Sequence, residues 1–102
     1  MNINSNEIEF ESSAHGAGVK KVFINSLDTA TKLTQFAYGK LLAGENVEEH
    51  MHPSMEEFFY ILKGDGVYVI DHSLVKVSPG VIVQIPAGIT HALSTVGSTP
   101  LE

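Results

Sequence analysis

His50 and His52 stand two residues apart, and in an extended strand such residues point to the same face. Two imidazoles so placed can share one ion, and neutral imidazole suits Fe, Mn, Ni, Cu and Zn. Pro53 follows and ends or turns the strand. Glu57 opens the next apolar run, FFYIL (58–62). A hairpin between the two segments would set the Glu57 carboxylate across from the histidine pair, where its charge offsets part of a cation's. Taken alone, a His-x-His pair is equally a polar stretch of edge strand, and a lone Glu57 is a solvated carboxylate, so the wider spacing has to decide.

That spacing is ordered. Gly44 is followed by five residues, His50, one residue, His52, four residues, Glu57, six residues and Gly64. Fifteen residues later comes Gly80, then five residues, Pro86, one residue, Gly88, two residues and His91. The pattern resembles the paired signature of the cupin superfamily, G-x5-H-x-H-x4-E-x6-G and G-x5-P-x-G-x2-H-x3-N, in its small single-domain form. Nine of the ten fixed positions agree over residues 44 to 95, and the exception is Thr95 in place of Asn. The resemblance implies an all-β fold, a small antiparallel double-stranded β-helix or jelly-roll barrel. It also implies one divalent metal (Fe, Mn, Ni, Zn or Cu) held by His50, His52, Glu57 and His91. Thr95 lies outside that ligand set and offers a hydroxyl where the family has a carboxamide.

The elements that must position these groups read as strands. Ile8 and Phe10 alternate with acidic residues, followed by 19–24, 33–43, 58–62, 67–70, 81–85 and 91–96, all rich in β-branched and aromatic residues. Turn residues separate them: Gly44, Gly64-Asp65-Gly66, Asp71-His72-Ser73, Ser78-Pro79-Gly80, Pro86 to Gly88 and Gly97 to Pro100. Ser26 to Lys32 is Thr-rich without an apolar stripe and reads as a loop holding at most one helical turn. The whole of 1–102 is expected to form one barrel domain, with polar residues 1–7 disordered. The end, Thr99-Pro100-Leu101-Glu102, is expected to be either a very short last strand or a truncated one.

Alternation assigns the walls. Glu57, Phe59 and Ile61 share one face, as do His91, Leu93 and Thr95, so Phe59, Leu93 and Thr95 are pocket-wall candidates beside the metal. Glu56 is the rival to Glu57, because a one-residue slip exchanges them, and the six-residue spacing to Gly64 favours Glu57. Glu45, Glu48 and Glu49 read as solvated, Asp71 as a turn residue, and His15 and His72 as loop residues.

Composition excludes several classes. Twelve acidic residues face six lysines with no arginine, for a net charge of −6, so no basic stripe exists for nucleic acid or an anionic membrane. With no arginine, a phosphosugar is not supported as substrate. The chain has no cysteine, which rules out disulfides and thiolate ligands. The N-terminus lacks the basic and apolar regions of a secretory signal, and a cytoplasmic location is expected.

Four protein ligands leave about two positions of an octahedral shell for other oxygen donors. The first functional expectation is a small-molecule enzyme of dioxygenase, isomerase or lyase type; catalytic residues stay unassigned. The alternative is a non-catalytic small-ligand-binding or sensing module with a structural metal. A homodimer is expected, because the N-terminal strand segments around 8–10 and 19–24 leave edges that another chain can cover.

Overall fold

The computed structural model describes residues 2–13 and 16–102. Residues Ser5–Glu7 form a 3-10 turn capped by Asn4, whose side chain accepts from the Asn6 amide. Nine strands follow: β1 (Glu11–Ser12), β2 (Val19–Asn25), β3 (Gln35–Lys40), β4 (Asn46–His50), β5 (Glu57–Tyr60), β6 (Asp65–Ile70), β7 (Ser73–Val77), β8 (Ile82–Ile85) and β9 (His91–Val96). Every pairing among them is antiparallel. They form a three-stranded sheet β1-β2-β3, a four-stranded sheet β4-β9-β6-β7 and a two-stranded sheet β5-β8. The fold is the all-β jelly roll, in separate sheets rather than one closed ring of strands.

The core lies between the sheets. Leu41, Ile61, Tyr68, Val77, Val83, Ile85 and Leu101 are buried, with Phe59, Ile70, Ile89 and Leu93 among the residues packed against them. Across the four-stranded sheet one rung reads Val47, Leu93, Tyr68, Val75. The next inward rung reads His50, His91, Ile70, Ser73. The polar rung thus sits one step along the sheet from an apolar one.

Two readings of the sequence are corrected. β4 and β5 do not form a hairpin: β4 pairs with β9 and β5 with β8, so Glu57 reaches the histidines from another sheet. Residues 74–77, unassigned in sequence, belong to β7, where Val75 and Val77 turn inward while Leu74 and Lys76 are exposed. The end of the chain contributes a one-residue bridge: Leu101 and Leu41 exchange amide-to-carbonyl bonds of 2.8 and 2.9 Å. The Glu102 carbonyl accepts from Leu62 at 2.7 Å. Gly64 is required there, since a Cβ on it would meet the Pro100 carbonyl oxygen at 2.2 Å, and its φ is +82°.

The segment 26–34 is a loop of turns, held by the Asn25 and Asp28 side chains. Asp71 and His72 are the two loop residues of the β6–β7 hairpin, with φ of 47° and 66°, the left-handed pair that a tight two-residue turn demands. His15 lies outside the described residues.

Candidate metal centre

β4 would not present His50 correctly without an irregularity. Val47 pairs with Leu93 and His50 with His91, so Glu48 and Glu49 oppose Ala92 alone. In a regular strand residues three apart face opposite sides. The bulge removes that half-turn and brings both Val47 and His50 to the inner face. β4 ends at His50, and His52 follows in irregular backbone. The His52 carbonyl accepts from Gly88 N–H at 2.8 Å, which ties the first histidine segment to the Pro86–Gly88 corner ahead of His91.

His50, His52, Glu57 and His91 each offer one ligand atom, and these atoms lie within 4.8 Å of one another. Two ligands of one ion with bonds near 2.1 Å stand at most roughly 4.2 Å apart, so small side-chain adjustments would let these four residues hold one ion. Ring centroids are 4.1 Å apart for His50 and His91, 5.1 Å for His50 and His52, and 5.7 Å for His52 and His91. Glu57, from β5, places Oε1 2.5 Å from His52 Nε2 and 3.7 Å from His91 Nε2. Glu56 points away; its carboxylate accepts from Gln84 Nε2 at 3.3 Å.

The tautomers follow from the backbone. His50 Nδ1 donates to the Glu48 carbonyl at 2.8 Å and His91 Nδ1 to the Ile89 carbonyl at 3.0 Å. A carbonyl oxygen only accepts, so each Nδ1 carries the proton, and in the neutral ring Nε2 keeps its lone pair for a cation. Both acceptors lie two residues before their histidine. Sequence reasoning missed them because backbone carbonyls leave no mark on residue type.

Two buried atoms at the centre, His91 Nε2 and Glu57 Oε1, make no hydrogen bond, although Glu57 Oε1 is in close contact with His52 Nε2. Buried polar atoms are costly when unsatisfied, and a lone pair facing a carboxylate oxygen adds repulsion. A cation between them satisfies both. Three imidazoles and one carboxylate are a donor set for a borderline divalent metal, which His50, His52, Glu57 and His91 could therefore hold.

The remaining sequence candidates divide. Phe59 and Leu93 pack against the core, Phe59 with its ring 5.6 Å from that of Tyr68. Tyr68 is 1% exposed, and its hydroxyl is pushed well above its ordinary range by burial and then by the Glu57 charge. Thr95 is engaged elsewhere, about 13 Å along the strand from His91. Its hydroxyl accepts from the Gly44 amide at 3.0 Å and lies 3.2 and 3.3 Å from the Leu42 and Glu45 carbonyls, closing the turn between β3 and β4.

Fold and site together define a β-sandwich protein with a three-histidine, one-carboxylate cluster. The chain belongs to the cupin domain family, whose model matches residues 37–102. It is 34% identical over 71 residues to the oxalate-binding protein of Thermotoga maritima, covering 70% of this chain and 59% of that one. It is also 34% identical over 53 residues to an uncharacterised protein of Methanocaldococcus jannaschii, covering 52% of this chain and 42% of that one. Both alignments thus span less than two thirds of the relative's length. Among solved structures, a predicted oxalate decarboxylase of Thermotoga maritima superposes with a TM-score of 0.88 at 28% identity, over 99% of this chain and 92% of that one. KdgF from Halomonas sp. superposes with a TM-score of 0.79 at 17% identity over 97% and 84%, a likeness of fold alone. No described helix is long and apolar enough to cross a membrane.

Proposed function

We propose that this chain holds one divalent metal with His50, His52, Glu57 and His91 and uses it to bind a small oxygen-donor ligand, oxalate being the first candidate. The observation that carries the reading is the convergence of four ligand atoms within 4.8 Å of one another, with the buried His91 Nε2 making no hydrogen bond and lying 3.7 Å from Glu57 Oε1. A divalent metal held by these residues would supply Lewis acidity toward an oxygen donor. The chain's own residues do the rest. Glu48 and Ile89 carbonyls hold the His50 and His91 rings in their ligating tautomer, and Phe59, Tyr68 and Leu93 keep the inner side of the site apolar. Identity of 34% to a protein named as oxalate-binding supports this ligand class.

Turnover of the same ligand is the second reading, favoured by the 0.88 superposition on a predicted oxalate decarboxylase. Of the dioxygenase, isomerase and lyase types, this favours the lyase. In either case the cupin domain matched over residues 37–102 acts on a small molecule.

The test is calorimetric titration of metal-loaded protein with oxalate and with acetate, alongside an assay for released carbon dioxide. Oxalate binding that vanishes on chelation and in His91→Ala supports the proposal. Full metal occupancy without oxalate binding overturns the ligand assignment. Carbon dioxide release that depends on the metal moves the protein to the second reading.

A further inference from the structure

We infer that the Tyr68 hydroxyl is the hydrogen-bond donor that this chain presents to a small carboxylate at the metal centre; this rests on the proposal that the centre takes an oxygen-donor ligand. Tyr68 faces inward on β6, directly opposite Leu93 on β9. His91 lies two residues before Leu93 on the same face, which makes it the diagonal neighbour of Tyr68. Diagonal neighbours stand about 7–8 Å apart, within reach of an aromatic side chain. From the other side of the core, Phe59 packs its ring 5.6 Å from that of Tyr68, and Phe59 is the next inward residue after Glu57 on β5. The Tyr68 ring is thus held between the strands that carry His91 and Glu57.

Tyr68 is 1% exposed, and its hydroxyl makes no hydrogen bond with any described residue. A buried tyrosine hydroxyl ordinarily has a partner, because an unpaired one forfeits the bonds it makes in water. An apolar side chain fills the same rung without that cost, as Val47, Leu93 and Val75 do beside it. On the wall formed by Phe59, Leu93 and Tyr68, the Tyr68 oxygen is the one polar side-chain atom. Burial, and then the Glu57 charge, push the hydroxyl well above its ordinary range, so at neutral pH it keeps its proton and donates. It therefore adds no second negative charge beside Glu57. The chain has no arginine to fork onto a carboxylate or a phosphate. One neutral phenol beside the centre suits a compact mono- or dicarboxylate rather than a phosphate ester, whose greater charge calls for cationic side chains.

Tyr68→Phe tests this, because it removes the hydroxyl and keeps the ring. Metal affinity, by chelator competition, is expected to stay unchanged. Tm of the metal-free protein is expected to stay level or rise, since an unpartnered buried hydroxyl is lost. Oxalate affinity of the metal-loaded variant, by calorimetry, is expected to fall about tenfold or more. Equal oxalate affinity in wild type and variant overturns the inference. So does a fall in metal affinity or in Tm that matches the loss of oxalate binding, because the hydroxyl then supports Glu57 or the fold instead. A metal-loaded wild type that does not bind oxalate overturns the oxalate assignment alone, and formate then decides, read by the visible absorption of the cobalt-loaded protein. Weaker formate binding in Tyr68→Phe supports the donor role; equal binding, or none in either protein, overturns it.

Discussion

His50 and His91 stand directly opposite each other on β4 and β9, in register, although a bulge separates His50 from the preceding pair of Val47 and Leu93. Each ring donates from Nδ1 to the carbonyl two residues earlier, so the two Nε2 atoms are committed to the interior. The pairing is a backbone relationship between segments 41 residues apart in sequence.

His91→Ala is expected to lower metal affinity by about 100-fold or more, since it removes a ligand that is 3% exposed. Glu57→Gln keeps the shape and removes the charge, so a cation loses its one anionic partner and affinity falls as well. Competition titration with a chromogenic chelator measures both. Unchanged affinity in either variant would show that the ion sits elsewhere.

Metal loading is expected to raise Tm. At a free concentration a hundred times Kd the linkage is about 2.7 kcal/mol. For a domain of this size that is roughly 10–20 °C, reversed by chelation and absent in His91→Ala. Differential scanning fluorimetry reads the shift; a chelation-independent Tm would count against a metal bound to the native state.

Thr95→Val separates a turn role from a pocket role. It removes a hydroxyl that accepts from Gly44 and faces the Leu42 and Glu45 carbonyls. A loss of about 1–3 kcal/mol of stability is expected, with metal affinity unchanged. A fall in metal affinity at constant stability would return Thr95 to the metal pocket.

Leu101→Ala is expected to cost about 2–5 kcal/mol, because the side chain is buried in the core beside Leu41 and Gly66. Urea unfolding measures it. A change within experimental error would mean that the terminal bridge adds nothing to the folded state.

Alkali is expected to lower the protein's stability in a defined window. Burial, then the hydrogen bond and the charge of Glu102, raise the Tyr38 hydroxyl from 10.0 to about 12. The folded state therefore keeps this proton where the unfolded chain loses it. Its contribution is fully present below pH 10 and is lost as pH rises through about 12. Unfolding midpoints should fall across that interval, and less steeply in Tyr38→Phe. Identical slopes in the two proteins would remove Tyr38 as a cause.

The order of ligands and turns is legible in the sequence because it is local. The spacing from Gly44 to His91 names the histidines and Glu57, the turn residues mark the strand ends, and alternation within β5 separates inward Glu57 and Phe59 from outward Phe58 and Tyr60. Composition alone removes thiolate ligands and a basic nucleic-acid face. What the tertiary structure decided is pairing. Local patterns carry no record of which strand lies beside which, so β4 could not be seen to pair with β9, nor β5 with β8. The bulge at Glu48–Glu49 depends on the register of β9, the terminal Leu101 bridge on the position of Leu41, and the two ring-orienting carbonyls on backbone that any residue type could supply. Spacing in the chain thus named the ligands, and long-range antiparallel register brought them within reach of one ion.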